Sequence, residues 1–178
     1  MNFSAPWGKD VKWTTWGVTA FLLAIGAIIW VAQRRSGLQE GASVPYIVVL
    51  FSLLLIGAAY AFSPRGYRVT ASHIEVCRPI GPVRIPLAEV REVRRIGKKE
   101  MGGALRVVGS GGFFGYYGAY RNRTLGSFKM YATDLSRSVL LSGKRRIVVS
   151  PDRPETFVEV VQSCLGVSHW GRVESKGQ

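Results

Sequence analysis

The sequence predicts two membrane-spanning helices followed by a mostly β domain that ends in one helix. Three observations support this prediction. Two long segments near the start carry no charged residue, short alternating apolar runs fill the middle, and one amphipathic helical pattern lies near the end. We therefore expect an α+β, mostly β protein: two transmembrane helices, then a small antiparallel β-barrel or sandwich capped by a C-terminal helix.

The first region, residues 1–64, contains the two uncharged segments, and we place the spans at about 13–33 and 44–62. A helix needs about 20 apolar residues to cross the bilayer core, and both segments provide them. The alternatives are a cleaved signal peptide for the first segment and a buried core helix for the second. The first run is longer than a signal peptide's apolar region and is followed by another span, which favours a membrane hairpin.

Two spans put both termini on the same side of a membrane. Two arginines occupy the connecting loop, whereas five basic residues flank the other side: Lys9, Lys12, Arg65, Arg68 and Arg78. The excess of positive charge predicts that both termini are cytoplasmic and that the protein is integral to the inner, cytoplasmic membrane. Neither span contains an ionisable residue, so we expect an anchor and not a transport path.

The second region, residues 65–166, reads as short strands separated by turns, followed by a helix. Asp152 and Glu155 have the spacing of a helix N-terminal capping pair, and the helix is expected to end at Gly166. Its apolar residues fall on one stripe: Phe157, Val160, Val161, Cys164 and Leu165. We expect the tail, residues 167–178, to be disordered.

A glycine- and aromatic-rich stretch, residues 109–126, interrupts the strand pattern. Glycine at this density disfavours both helix and regular strand, so we expect an ordered loop. Its rings are expected to pack on their own domain, meet the bilayer or bind a partner, and the sequence does not choose among these. The candidate partner- or membrane-binding residues are Phe113, Phe114, Tyr116, Tyr117, Tyr120, Arg121 and Arg123.

The chain is strongly basic, with 24 Lys and Arg against 11 Asp and Glu and a formal net charge of +13. Such a charge favours anionic partners. The candidate anionic-lipid-binding residues form one cluster: Arg91, Arg94, Arg95, Lys98 and Lys99. A cation near an anionic membrane contributes about 1 kcal/mol. The alternative is a solvated strand edge, where basic residues discourage edge-to-edge pairing.

The order of these features resembles the membrane-anchored bacterial pleckstrin-homology (PH)-like proteins. The resemblance covers residues 64–165 and is most specific in the GGFFGYYG and MYATD segments. It implies two roughly orthogonal sheets closed by a C-terminal helix, and it implies little about activity. Lipid-binding PH domains of eukaryotes use basic residues between their first two strands. Here that connection, residues 70–73, has no Lys or Arg, so phosphoinositide specificity is not carried over.

No arrangement of residues predicts catalysis. Ser110 lacks the spacing of a nucleophile elbow. Cys77 and Cys164 form no CxxC pair, and with only two histidines in the chain a metal cluster is not expected. We expect no enzyme, metal, cofactor or small-molecule substrate. The expected function is a membrane-anchored interaction module that binds a protein partner or self-associates. An anionic-lipid-sensing module is the alternative, and nucleic-acid binding is disfavoured because the glycines oppose an aromatic strand.

Overall fold

The computed structural model describes residues 1–36 and 43–174, with the side chains of Ser36, Lys98 and residues 167–174 left out. Single 3₁₀ turns lie at Leu87–Glu89 and Leu135–Arg137. The other elements, in chain order, are β1 (Asn2–Ser4), α1 (Lys9–Ser36), α2 (Val44–Phe62), β2 (Gly66–Val69), β3 (His73–Cys77), β4 (Val83–Pro86), β5 (Val90–Arg95), α3 (Lys98–Met101), β6 (Leu105–Gly111), β7 (Tyr116–Asn122), β8 (Gly126–Ala132), β9 (Val139–Gly143), β10 (Ile147–Val149) and α4 (Pro154–Glu174).

The two N-terminal helices, α1 and α2, pack against each other and run antiparallel. Trp30 near the end of α1 and Tyr46 near the start of α2 line one groove. Both helices are long and apolar enough to cross a membrane, and most of their side chains are exposed. Because the core helix of a soluble domain would be covered by its neighbours, the exposed apolar surface of α2 disfavours that alternative.

The strands form two sheets that pack over one core. The first sheet has the order β1-β2-β3-β4 and is antiparallel throughout. The second has the order β5-β9-β10-β8-β7-β6, in which β10 runs parallel to β8. The sheets do not close. The structure is thus a PH-like sandwich with a C-terminal helix, as predicted. It is not a closed barrel. It contains one parallel pair because β10 lies between β9 and β8 and runs in the same direction as β8.

The N-terminal strand β1 was not anticipated. Phe3 pairs with Tyr67 on β2, and the Met1 ammonium group donates a hydrogen bond to the Val69 carbonyl over 2.6 Å. The Phe3 ring also meets Phe157 of α4 edge-to-face, with 5.1 Å between the ring centroids. The residues before α1 therefore belong to the β domain, which places the start of α1 and the end of α2 at the same end of that domain.

The helix α4 covers the open side of the core with Phe157 and Val161, both fully buried. Tyr67 is also fully buried, and burial raises its pKa to about 12. The predicted helix end at Gly166 is wrong, because α4 continues to Glu174. A glycine in an exposed helix costs only about 1 kcal/mol and does not by itself stop the helix. Of the predicted disordered tail, residues 175–178 lie outside the described residues.

The glycine-rich stretch is not a loop, and this prediction is wrong. It forms a β-hairpin in which Gly109 of β6 lies opposite Gly118 of β7. Both glycines have φ near +120°, and an added Cβ would lie 1.9 Å from the Tyr117 oxygen or 2.1 Å from the Val108 oxygen, respectively. Glycine is needed here because the two backbones approach too closely for any side chain.

Candidate interaction surface

The turn of the β6–β7 hairpin contacts the base of both apolar helices. The Phe114 backbone N–H donates a hydrogen bond to the Thr15 Oγ1 of α1 over 3.0 Å. The Tyr117 hydroxyl donates to the Ala59 carbonyl in the last turns of α2, also over 3.0 Å. We call this end of the β domain the helix-proximal end, and the opposite end, with the β7–β8 and β9–β10 turns, the helix-distal end.

An aromatic cluster surrounds this contact. The Phe114 ring meets Trp7 and Tyr60 edge-to-face, with 5.7 Å between ring centroids in each pair. The Arg65 guanidinium lies 4.2 Å from the centre of the Tyr60 ring, a cation–π geometry. Phe114 has φ +58°, which is rare for an aromatic residue. The ring contacts and the hydrogen bond to Thr15 stabilise this strained backbone. We call this specific contact between the hairpin turn and the helices the joint.

The structure brings four of the seven predicted partner-binding residues together and places the other three elsewhere. Phe113, Phe114 and Tyr117 face the helices, and Tyr116 is half-buried beside them. Tyr120 is buried in a second core on the outer face of the six-stranded sheet, where it stacks on Phe128 and its hydroxyl donates to the Ser110 carbonyl. Burial raises the pKa of Tyr120 to about 12. Arg121 and Arg123 are exposed at the helix-distal end.

Two of the five residues in the basic cluster on and after β5, Arg94 and Arg95, are paired within the chain. Arg94 donates two hydrogen bonds to the Glu100 carboxylate, at 3.2 and 2.7 Å. These bonds lower the pKa of Glu100. Arg95 pairs with Glu155 of α4. Arg91 and Lys99 are exposed, with Arg91 at the helix-distal end of β5, and the side chain of Lys98 lies outside the described residues. The four residues of this cluster whose side chains are described therefore do not form one surface beside the helices.

A second basic group lines a helix-distal hollow of about 590 Å³. It contains Lys129 of β8 and the β9–β10 turn residues Lys144, Arg145 and Arg146. Arg146 donates a hydrogen bond to the Leu125 carbonyl over 2.6 Å, so it also stabilises the neighbouring turn. None of the residues that line this hollow belongs to α1 or α2.

The most unusual surface is β6, an edge strand of the six-stranded sheet that sequence analysis did not single out. Leu105, Val107 and Val108 are 74%, 64% and 68% exposed. Edge strands normally carry lysine or proline, are very short, or are covered. The other described edges follow this rule, because β1 has three residues, β4 ends in Pro86, and β5 is charged and contacts α4. The sequence showed a strand at 105–108, but edge position depends on the whole sheet order.

Two packed β-sheets with a C-terminal helix across their core define a PH-like domain, here joined to two apolar helices. The family model "Bacterial PH domain" matches residues 65–164, more than half of the chain, so the protein belongs to the bacterial PH domain family. This family is generally non-catalytic. Comparison with curated proteins and with solved structures gave no significant match. The match begins at Arg65, so β1, which completes the first sheet, lies outside it.

Proposed function

We propose that this protein is a non-enzymatic, membrane-anchored interaction module that binds another protein chain along the β6 edge. The uncovered apolar side chains of Leu105, Val107 and Val108 are the observation on which the proposal depends. An edge strand offers unpaired backbone N–H and C=O groups to an incoming strand, and alternate side chains set the specificity. The incoming strand belongs either to a second copy of this chain or to a different membrane-associated protein.

The helices α1 and α2 supply the anchor in this proposal. They span the cytoplasmic membrane with both termini on its cytoplasmic side, which agrees with the basic residues flanking that side. The hydrogen bonds from Phe114 and Tyr117 to the two helices fix the hairpin that contains β6. A partner at the same membrane would therefore meet the β6 edge in a restricted orientation.

The expected affinity is moderate. Full burial of each Leu or Val side chain contributes roughly 1.5–3 kcal/mol, and each backbone hydrogen bond adds about 1 kcal/mol net. Much of this gain is offset by the entropy lost on association. Confinement of both partners to one membrane raises their effective concentration and compensates for a short contact. A membrane-tethered domain is thus well suited to pairing along a short strand.

Photo-crosslinking in native membranes tests this proposal. A benzoylphenylalanine at Val108 of the full chain should give a protein adduct, whereas the same group at the exposed Glu92 on β5 should not. An adduct of twice the 19.6 kDa chain mass identifies a second copy, and any other mass identifies a different protein. Adducts to lipid alone at Val108, or equal protein adducts at both positions, would contradict pairing along β6.

A further inference from the structure

A cleft lies between the β6–β7 hairpin and one side of the helix pair. Its volume is about 450 Å³, within the range of clefts that hold small ligands. The helices contribute apolar side chains, among them Val18, Leu22, Leu55 and Ala58. The hairpin contributes two aromatic rings and one cation: Phe113, Tyr117 and Arg106. The cleft is therefore amphipathic, with its apolar wall made by the membrane-spanning helices.

The apolar wall extends from the helix-proximal end into the spans. Leu55 lies about two helical turns before Phe62, roughly 10 Å along the axis of α2. Leu22 lies further along α1 than Thr15, whose hydroxyl accepts the Phe114 N–H. When α1 and α2 span a bilayer, this wall lies at acyl-chain depth and the hairpin lies at the level of the headgroups.

The cation of the cleft, Arg106, has no carboxylate partner among the ion pairs of the described residues, unlike Arg94 and Arg95. Its side chain runs along β6 toward the turn, so that the guanidinium Nη1 lies 3.3 Å from where a Cβ on Gly111 would be. Glycine at 111 leaves room for this path. The guanidinium is thus held toward the turn, at the end of the strand that meets the helices.

We propose that this cleft binds one anionic phospholipid from the cytoplasmic leaflet. Arg106 receives the lipid phosphate, and the upper part of an acyl chain lies against Val18, Leu22 and Leu55. A guanidinium matches phosphate geometry with two parallel hydrogen bonds, and it is charged at all physiological pH values. The site differs from the cluster around β5, and it depends on α1 and α2 spanning the membrane, not on pairing along β6.

Lipid retention by the purified full chain tests the site. We expect native mass spectrometry in mild detergent with added phosphatidylglycerol to show one bound lipid per chain. Arg106→Gln should lower retention roughly ten-fold, as expected from loss of a charge-assisted hydrogen bond, and Arg106→Lys should restore part of it. The matched control is Arg121→Gln, which removes the same charge from an exposed residue of β7. Arg121 lies opposite Leu105 of β6 in the hairpin.

A second variant fills the cleft without changing charge. Ala58 is exposed on α2, so Ala58→Phe should fold and should also lower retention. Diacylglycerol, which lacks the phosphate, should not be retained by any variant. Unchanged retention in either Arg106→Gln or Ala58→Phe, or an equal loss in Arg121→Gln, would overturn the proposal. The Val108 adduct should persist in Ala58→Phe, so that failure of the lipid site and failure of β6 pairing are distinguishable.

Discussion

The two edges of the six-stranded sheet, β5 and β6, differ in charge and in whether another element covers them. β5 carries Arg91, Arg94 and Arg95, and two of these arginines pair with carboxylates, one of which lies on α4. α4 itself packs along β5. β6 is uncharged except for Arg106 and exposes leucine and valine. One edge is therefore protected by charge and by a helix, while the other is left available.

The same hairpin that provides the open edge also contacts the helices. The helix-proximal half of β6–β7 is fixed by Phe114 and Tyr117, whereas the half that contains Leu105, Val107 and Val108 is exposed. A rigid attachment next to an uncovered strand is what a membrane-bound interaction surface requires.

The largest loss of stability is expected from Gly109→Ala, because this change disrupts the close strand contact within the β6–β7 hairpin. The new Cβ would lie 1.9 Å from the Tyr117 oxygen, on a backbone with φ +121°. The clash and the strained conformation should together lower the free energy of unfolding by roughly 3 kcal/mol or more. Thermal unfolding of the full chain in detergent measures the loss. Gly166→Ala is the control, since nothing lies within 4 Å of a Cβ at that position. If Gly109→Ala changed the stability as little as Gly166→Ala does, the close strand contact would be contradicted.

The second prediction concerns the attachment of the hairpin. Phe114→Gly removes the ring contacts to Trp7, Tyr60 and Phe113 while relieving the positive φ. Each aromatic pair contributes about 0.5–1.5 kcal/mol, so the joint should weaken by about 2 kcal/mol. Amide exchange at residues 112–117 should accelerate while β9 and β10 remain protected. Ile80→Ala, at another exposed helix-proximal position, should leave these amides unchanged. Unaltered exchange in Phe114→Gly would mean that the rings do not hold the joint.

The third prediction makes β6 resemble β5. With benzoylphenylalanine at Val108, Val107→Lys adds a charge to the open edge and should reduce recovery of the crosslinked partner about ten-fold, a difference of about 1.4 kcal/mol in binding free energy. Glu92→Gln changes the net charge by the same amount on β5 and should leave recovery unaffected. Quantitative immunoblotting of the adducts compares the two variants. A similar loss in both would assign the effect to overall charge.

The smallest effect is a pH dependence that only the β5 edge should show. The hydrogen bonds from Arg94 lower the pKa of Glu100 in the folded protein. A carboxyl with a lowered folded pKa stabilises the protein above its unfolded pKa, and this contribution disappears as pH falls through the folded value. Wild type should therefore exceed Glu100→Gln in stability at neutral pH, and the difference should vanish in acid. A difference that is constant with pH would contradict the Arg94–Glu100 pairing.

The helices and most strands could be predicted because their signals are local. Long uncharged runs identify α1 and α2, and alternation of apolar residues identifies strands such as β3 and β8. The β6–β7 hairpin was not predicted because composition does not distinguish a glycine that permits close strand contact, such as Gly109, from a glycine in a loop. Strand β1 was missed because its pairing with Tyr67 joins residues far apart in sequence.

The candidate site was predictable only in part, for a related reason. Composition drew attention to the region of Phe113 and Phe114, and it left open what their rings would contact. The choice depends on α1 and α2 ending beside the turn, which no local pattern records. The exposed edge at Val107 and Val108 depends on sheet order, and the pairing of Arg94 depends on α3 folding back. Each of these features depends on residues that lie far apart in the sequence or on the arrangement of whole elements.

The most direct test of the account is amide hydrogen exchange along β6 in two settings. In native membranes, where the partner is present, the amides of residues 105–108 that point away from β7 should exchange slowly, whereas they should exchange rapidly in nanodiscs that hold one purified chain. The amides of β5 should behave alike in both settings because that edge is protected within the chain. Equal exchange of the β6 amides in the two settings would contradict the claim that β6 is a binding edge.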